Sequence, residues 1–159
     1  VRAQEVGAQA TLYCANVGDS RCVLSRGGNA LDLSVDHRSS RADEKERVEK
    51  AGGWIIKGRL HGVLAVTRSF GDLEHKGKHK ERIWDKKFAG EPLTAEPEMA
   101  IETLLSEDEF CVIACDGVWD VMTSQQAVNF VRQQLLADPD VQKAADALVA
   151  KSLEMRTVD

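Results

Sequence analysis

The chain has 159 residues, 43% of them hydrophobic and 30% charged, with a formal net charge of −5. That length bounds it to one domain rather than two comfortable ones, and that composition excludes a disordered chain. The acidic balance speaks against a nucleic-acid partner, and no apolar run approaches the ~20 residues of a membrane span, so neither nucleic acid nor membrane is expected as a partner.

The start, Val1-Arg2-Ala3-Gln4-Glu5, lacks the apolar stretch of a signal peptide and has no initiator Met, which reads as an internal fragment. Residues 10–17 form an apolar run that breaks at Gly18-Asp19, and a second run, Cys22-Val23-Leu24, ends at Arg26-Gly27-Gly28. Two such runs around a Gly-Asp turn predict a β-hairpin. Ser40-x-x-Asp43 has capping-box form ahead of a helix over 43–50, which Gly52-Gly53 stops. Trp54-Ile55-Ile56 and Val63-Leu64-Ala65-Val66 predict strands around a turn at Leu60-His61-Gly62. Residues 76–87 carry six bases (Lys76, Lys78, Lys80, Arg82, Lys86, Lys87) against two acids (Glu81, Asp85). A solvated loop is expected there, docking of acidic or phosphorylated partners being the other reading.

Residues 110–115 predict a strand buried on both faces. Thr123-x-x-Gln126 caps a helix with Ala127, Val128, Val131 and Leu135 on its apolar side. Asp138-Pro139 opens another, with Pro at its first position and a stripe of Val141, Ala144, Ala145, Leu148, Val149 and Leu153. Thr157-Val158-Asp159 reads as a strand beginning. Strands and helices come in groups, so the fold class is α+β. The cysteines at 14, 22, 111 and 115 sit in apolar runs without C-x-x-C spacing, so buried free thiols and a reducing compartment, cytoplasmic and/or nuclear, are expected.

The residues with chemistry are carboxylates. In Cys115-Asp116-Gly117-Val118-Trp119-Asp120 an apolar strand delivers Asp116 at its end, and Asp120 returns beside it if the chain coils. Paired acids repel unless a cation or proton separates them, and Mg²⁺ or Mn²⁺ takes such oxygen ligands. Spacing alone favours a solvated turn, as it does for Gly18-Asp19-Ser20-Arg21.

The conjunction of strings changes that balance. Ala15-Asn16-Val17-Gly18-Asp19-Ser20-Arg21 resembles a segment of the metal-dependent serine/threonine protein phosphatases (type 2C). Asp36-His37, then Glu46-Arg47-Val48, then Ala51-Gly52-Gly53 resemble further elements of that family in order. Leu64-Ala65-Val66-Thr67-Arg68-Ser69-Phe70-Gly71-Asp72, Glu96-Pro97-Glu98 and the Cys115 to Asp120 string complete the series. The resemblance implies a sandwich of two antiparallel sheets flanked by helix pairs, a four-layer αββα arrangement. Residues 1–159 would be the C-terminal portion of one catalytic domain, its N-terminal portion and last strand missing. It also implies roles. Asp116 and Asp159, which lies 43 residues further on, would ligate one ion of a two-metal Mg²⁺ or Mn²⁺ centre. Asp19 and Asp120 would join Asp116 around a third ion, and Arg59 would touch substrate. The implied reaction is hydrolysis of phosphoserine and phosphothreonine in proteins by a metal-activated water. The complete domain would be a monomer acting on phosphorylated proteins.

The family's D-G-H string, its phosphate-binding Arg and its His acid have no counterpart here, so the general acid lies outside this chain. None of His37, His61, His75 or His79 takes that role, and no cysteine has a catalytic setting. A catalytically dead relative serving as an interaction module is the alternative, disfavoured by the intact Asp116 and Asp120. An aspartate-nucleophile phosphohydrolase is excluded because position 118, where its second Asp belongs, is Val.

Overall fold

A computed structural model of the chain describes residues 2–6 and 9–156. In chain order the first elements are β1 (Arg2–Val6), β2 (Gln9–Asn16), β3 (Arg21–Arg26), β4 (Asn29–Asp32), α1 (Ala42–Lys50), β5 (Ile55–Ile56) and β6 (Arg59–Leu60). A 3₁₀ turn at Leu73–His75 precedes α2 (Gly77–Trp84), β7 (Glu98–Thr103), β8 (Asp108–Ala114), α3 (Asp116–Trp119), α4 (Ser124–Ala137) and α5 (Val141–Arg156). The expected strand at 157–159, Asp159 included, lies outside the described residues. The chain divides into two compact units, one of Val1–Asn16, Ser20–Val35 and Met99–Asp159, the other of Val17–Asp19 and Asp36–Glu98.

The first unit holds two three-stranded sheets, ordered β1-β2-β7 and β4-β3-β8. β2 and β3 are therefore not the predicted hairpin. Each is the central strand of its own sheet, because the Gly18-Asp19 turn, with Gly18 at φ 104, carries the chain from one sheet to the other. A local turn signal cannot say which sheet receives the next strand. Alternation along β3 then builds two cores. Cys22 and Leu24 face Leu12, Cys14, Leu33 and Ala100 between the sheets. Val23, on the opposite side and fully buried, meets Val112, Val118, Trp119, Val128, Val131 and Leu148 beneath the helices. The α+β class holds, with antiparallel ladders joining β1 to β2, β3 to β4 and β3 to β8.

Among the described residues β8 is the outer strand of its sheet and is covered on one face only, which corrects its expected double burial. Val112 is buried, but Ile113 is 62% exposed, and Cys111 and Cys115 are exposed as well. Only Cys14 and Cys22 are buried thiols, although all four cysteines are free. Thr123 caps α4 with the full capping box, its side chain accepting from Gln126 N and the Gln126 side chain accepting from Thr123 N. α5 is capped by Asp140, which accepts from Gln142 N and Lys143 N, so Pro139 lies before the helix rather than at its first position. Of the predicted stripe Ala144 and Leu148 are buried, while Val141, Val149 and Leu153 are exposed.

In the second unit α1 begins after Arg41 and not at a Ser40 cap. No side chain caps it, and the Arg41 guanidinium instead grips Asp43 at 2.7 Å. Gly52, at φ 83, ends the helix in the left-handed conformation. β5 and β6 pair across Lys57-Gly58, both at positive φ (50 and 71), as a two-residue hairpin turn of the primed type requires. The reversal therefore comes before 60–62, and residues 63–66 make isolated bridges, not a strand. Val48, Leu60 and Leu93, each fully buried, form the small core. Residues 77–84 are helix, where a loop was expected, because Lys80 turns inward (3% exposed) and pairs with Glu91 at 2.7 Å.

Candidate metal-binding turn and its supporting network

The turn after β8 is fixed from below. Val118 and Trp119 are 6% and 7% exposed, and the Trp119 indole donates to the Ala114 carbonyl at 2.7 Å. The Arg21 guanidinium lies 5.3 Å from the Trp119 ring centroid and donates to Ser124 Oγ at 3.1 Å. With two consecutive apolar residues driven inward, the carboxylates on either side stay outward. Asp116 and Asp120 are both exposed, joined by the backbone bond from Asp120 N to Asp116 O (2.9 Å). Among the described residues no side-chain hydrogen bond or ion pair engages the Asp116 carboxylate. The Asp120 carboxylate has Arg156 at 3.8 Å. Asp116 thus presents acceptor-only oxygens at a rigid strand end, a donor set that fits a hard divalent cation.

Asp19 belongs to the second unit, Asp116 and Asp120 to the first. Arg59 is exposed on β6, where its Nη1 donates to the Val63 carbonyl at 2.9 Å within its own turn.

The family-like strings of the second unit knit to one another. Gly18 N donates to His37 Nδ1 (3.2 Å), and His37 N donates to the Gly18 carbonyl (2.9 Å). Thr67 N donates to the His37 carbonyl at 2.9 Å, and Thr67 Oγ1 lies 3.0 Å from the same carbonyl. Thr67 Oγ1 also lies 2.5 Å from Glu44 Oε2, and Arg68 and Arg47 grip the same carboxylate at 2.6 and 3.0 Å. Glu44, 1% exposed, is therefore the hub. Glu46, the acid named in the sequence string, is an exposed surface residue 2.6 Å from Lys50. The missed signal was the i,i+3 spacing of Glu44 to Arg47, which places both on one helix face. Burial alone would raise the Glu44 carboxyl, but the bonds from Arg68, Arg47 and Thr67 outweigh it and hold it well below the usual carboxylate range.

Asp43, Glu44 and Glu98 bring one oxygen each within 4.8 Å of one another. Arginines already answer all three: Arg41 holds Asp43 and Glu98, and Arg68 and Arg47 hold Glu44. The charge a cation would neutralise is spent, so this group is an ion-pair network rather than a metal cage.

His61 lies in an aromatic cage, 4.4 Å from Trp54 and 5.3 Å from Trp84 between ring centroids. It is 4% exposed, and among the described residues neither ring nitrogen has a hydrogen-bond partner. Burial first, then the positive charges of His75, Lys86 and Lys80, push its pKa from 6.5 down to about 4. His37 shifts the same way, through burial and then Arg68. The unfolded chain therefore binds protons that the folded chain refuses. Stability is full above the ordinary histidine pKa of 6.5 and falls as pH drops from 6.5 towards 4. Denaturant titrations followed by tryptophan fluorescence should show a loss of about 3 kcal/mol over that window from His61. His61→Asn, which tolerates the left-handed backbone (φ 54) and does not titrate, should flatten the slope. An unchanged slope would rule out His61 as its source.

Comparison with known proteins agrees with these strings. The sequence model of the family described as Protein phosphatase 2C matches residues 4–159. The "Probable protein phosphatase 2C 54" of Oryza sativa subsp. japonica is 42% identical over 149 residues, 94% of this chain and 40% of the relative. "Protein phosphatase 2C homolog 3" of Schizosaccharomyces pombe is 44% identical over 138 residues, 87% of this chain and 32% of the relative. Among solved structures, a phosphatase from a pathogenic strain of Toxoplasma gondii superimposes with a TM-score of 0.77 at 26% identity, covering 95% of this chain and 46% of that one. A C. elegans sex determining protein gives 0.70 at 26% identity, over 95% of this chain and 35% of that one. The chain spans about 40% or less of the length of these two curated relatives.

Proposed function

Because this chain belongs to the protein phosphatase 2C family, we propose that it serves as the C-terminal part of a longer domain that hydrolyses phosphoserine and phosphothreonine in proteins. The observation that carries the proposal is the exposed Asp116 carboxylate at the end of β8, which no side chain engages among the described residues and which the buried Val118 and Trp119 hold outward. Asp116 and Asp159 would hold one Mg²⁺ or Mn²⁺ of a pair, and Asp120 would join Asp116 around a third. Bound there, the ions supply an acidified water and charge stabilisation for the phosphoryl oxygens. The chain's own residues act on position. Trp119 and the Ala114 carbonyl fix the turn, and Arg156 near Asp120 tempers its charge. Arg59 offers a guanidinium towards a phosphoprotein, with one Nη1 hydrogen bonded to Val63. The proton for the leaving serine or threonine oxygen and the Arg for phosphate would come from outside these 159 residues. The partners would be phosphorylated proteins, met by a monomeric domain in the cytoplasm and/or nucleus.

The test uses a protein of the relatives' length that contains this chain. It should hydrolyse p-nitrophenyl phosphate with Mn²⁺ or Mg²⁺, stop on chelation and resist okadaic acid. The 159-residue chain alone should be nearly inactive. An inactive long protein that still binds phosphoproteins would favour the interaction-module alternative instead.

A further inference from the structure

The basic stretch at 76–87 is not uniform in the fold. Lys80 turns inward to Glu91, Lys76 Nζ donates to the Ser69 carbonyl (2.6 Å), and Lys86 Nζ donates to the Gly52 carbonyl (2.7 Å) beside the Trp54 ring. The remaining three cations, Lys78, Arg82 and Lys87, are exposed, and among the described residues no side-chain hydrogen bond or ion pair engages them. With Glu81, Asp85 and Lys86 they line an open depression of about 440 Å³. Elsewhere on the helices cations have carboxylate partners: Lys45 has Glu49, Lys50 has Glu46, Lys151 has Glu154 and Arg132 has Glu109.

Local stability does not account for this arrangement. Lys78 and Arg82 are a like-charge i,i+4 pair, which opposes helix formation. The first turn of α2 carries no acid of its own, and the positive end of the helix dipole is met from outside by Glu91, whose Oε2 accepts from Gly77 N at 3.2 Å. The like-charge pair, with three exposed cations that no side chain engages among the described residues, in a chain of net charge −5, indicates a surface kept basic for something outside the fold. The occupant follows from the chemistry. An eight-residue helix spans only about 12 Å, too short a track for a duplex backbone. Trp54 and Trp84 meet edge-on and pack against His61 in its cage, so on this face of the described residues neither is an open platform for stacking bases. Glu81 and Asp85 interrupt the positive field, so a uniformly anionic membrane meets repulsion, whereas a short peptide can space its acids to match.

We propose that the solvent face of α2 and the turn after it dock an acidic segment of a partner protein, through Lys78, Arg82 and Lys87. This does not depend on the phosphatase reading, since it concerns binding alone. Exposed ion pairs give modest, salt-sensitive affinity.

The test is fluorescence anisotropy of a labelled 12-residue Glu/Asp/Ser peptide with the 159-residue chain, at low and high salt. Binding should weaken on raising salt, and the K78E/R82E/K87E variant should lose about tenfold or more in affinity. The milder K78A/R82A/K87A variant, which keeps good helix formers, should lose severalfold with unchanged circular dichroism. K45E/K50E, which reverses two cations already paired on α1, should bind as the parent does. Equal binding by both triple variants, an equal loss in K45E/K50E, or tighter binding to phosphatidylserine vesicles or single-stranded RNA than to the peptide would overturn the proposal.

Discussion

Asp116→Ala, made in a full-length protein that contains this chain, is expected to lower phosphatase activity by orders of magnitude. Loss of a residue that merely supports a metal ligand typically costs about 10- to 100-fold, and Asp116 is proposed as a ligand itself. No neighbour can replace it. The side chains that follow, Val118 and Trp119, are committed to the core, and the Asp120 carboxylate has the Arg156 guanidinium at 3.8 Å. Because Asp116 is exposed and makes no side-chain bond among the described residues, the substitution should leave the melting temperature unchanged, which separates a site effect from a folding effect. Asp120→Ala should cost less, since its proposed ion is the weaker third one. Steady-state kinetics on both variants decides the matter, and rates within a few-fold of wild type for both would remove the assignment.

Glu44→Ala should have the largest effect on stability, about 3–5 kcal/mol, the usual result of removing one partner from a buried charge network. Two guanidiniums and a hydroxyl converge on this carboxylate, and Arg68 is itself only 11% exposed. Without the acceptor, Arg68 keeps its charge in a site that water barely reaches, and the Thr67 hydroxyl, fully buried, loses its nearer acceptor and is left with the His37 carbonyl at 3.0 Å. The damage should spread along the bonds that tie Thr67 to His37 and His37 to Gly18. Denaturant unfolding read through Trp54 and Trp84 measures it. A loss below about 1 kcal/mol would show that the network relaxes around the gap.

Sequence reading succeeded where the cause is local. The Thr123-Gln126 capping box needs only four residues, and it forms as expected. The delivery of Asp116 by an apolar strand needs only an apolar run and a Gly turn, and it too is present, although one face of that strand is open. Reading failed where the deciding partner is distant. The runs at 10–17 and 22–24 look like a hairpin, yet their sheet partners come from β1, β4, β7 and β8. Ser40 has the form of a cap, but Arg41 is the residue engaged, by Asp43 and by Glu98 far along the chain. Glu44 and Glu46 are equivalent letters in a helix-forming string, and only the approach of Thr67 and Arg68 distinguishes the buried one. The unpartnered nitrogens of His61 follow from Trp54 and Trp84 closing over it, which no local pattern announces.

The central reading, a carboxylate-built divalent metal site serving phosphoprotein hydrolysis, is tested most directly by phosphate release from a phosphothreonine peptide. The full-length protein should be stripped with a chelator and then titrated with Mn²⁺. Activity should vanish on stripping, return in full as Mn²⁺ is restored, and fail to return in Asp116→Ala. Phosphate release that survives chelation, or that returns equally in Asp116→Ala, would contradict the metal-site reading.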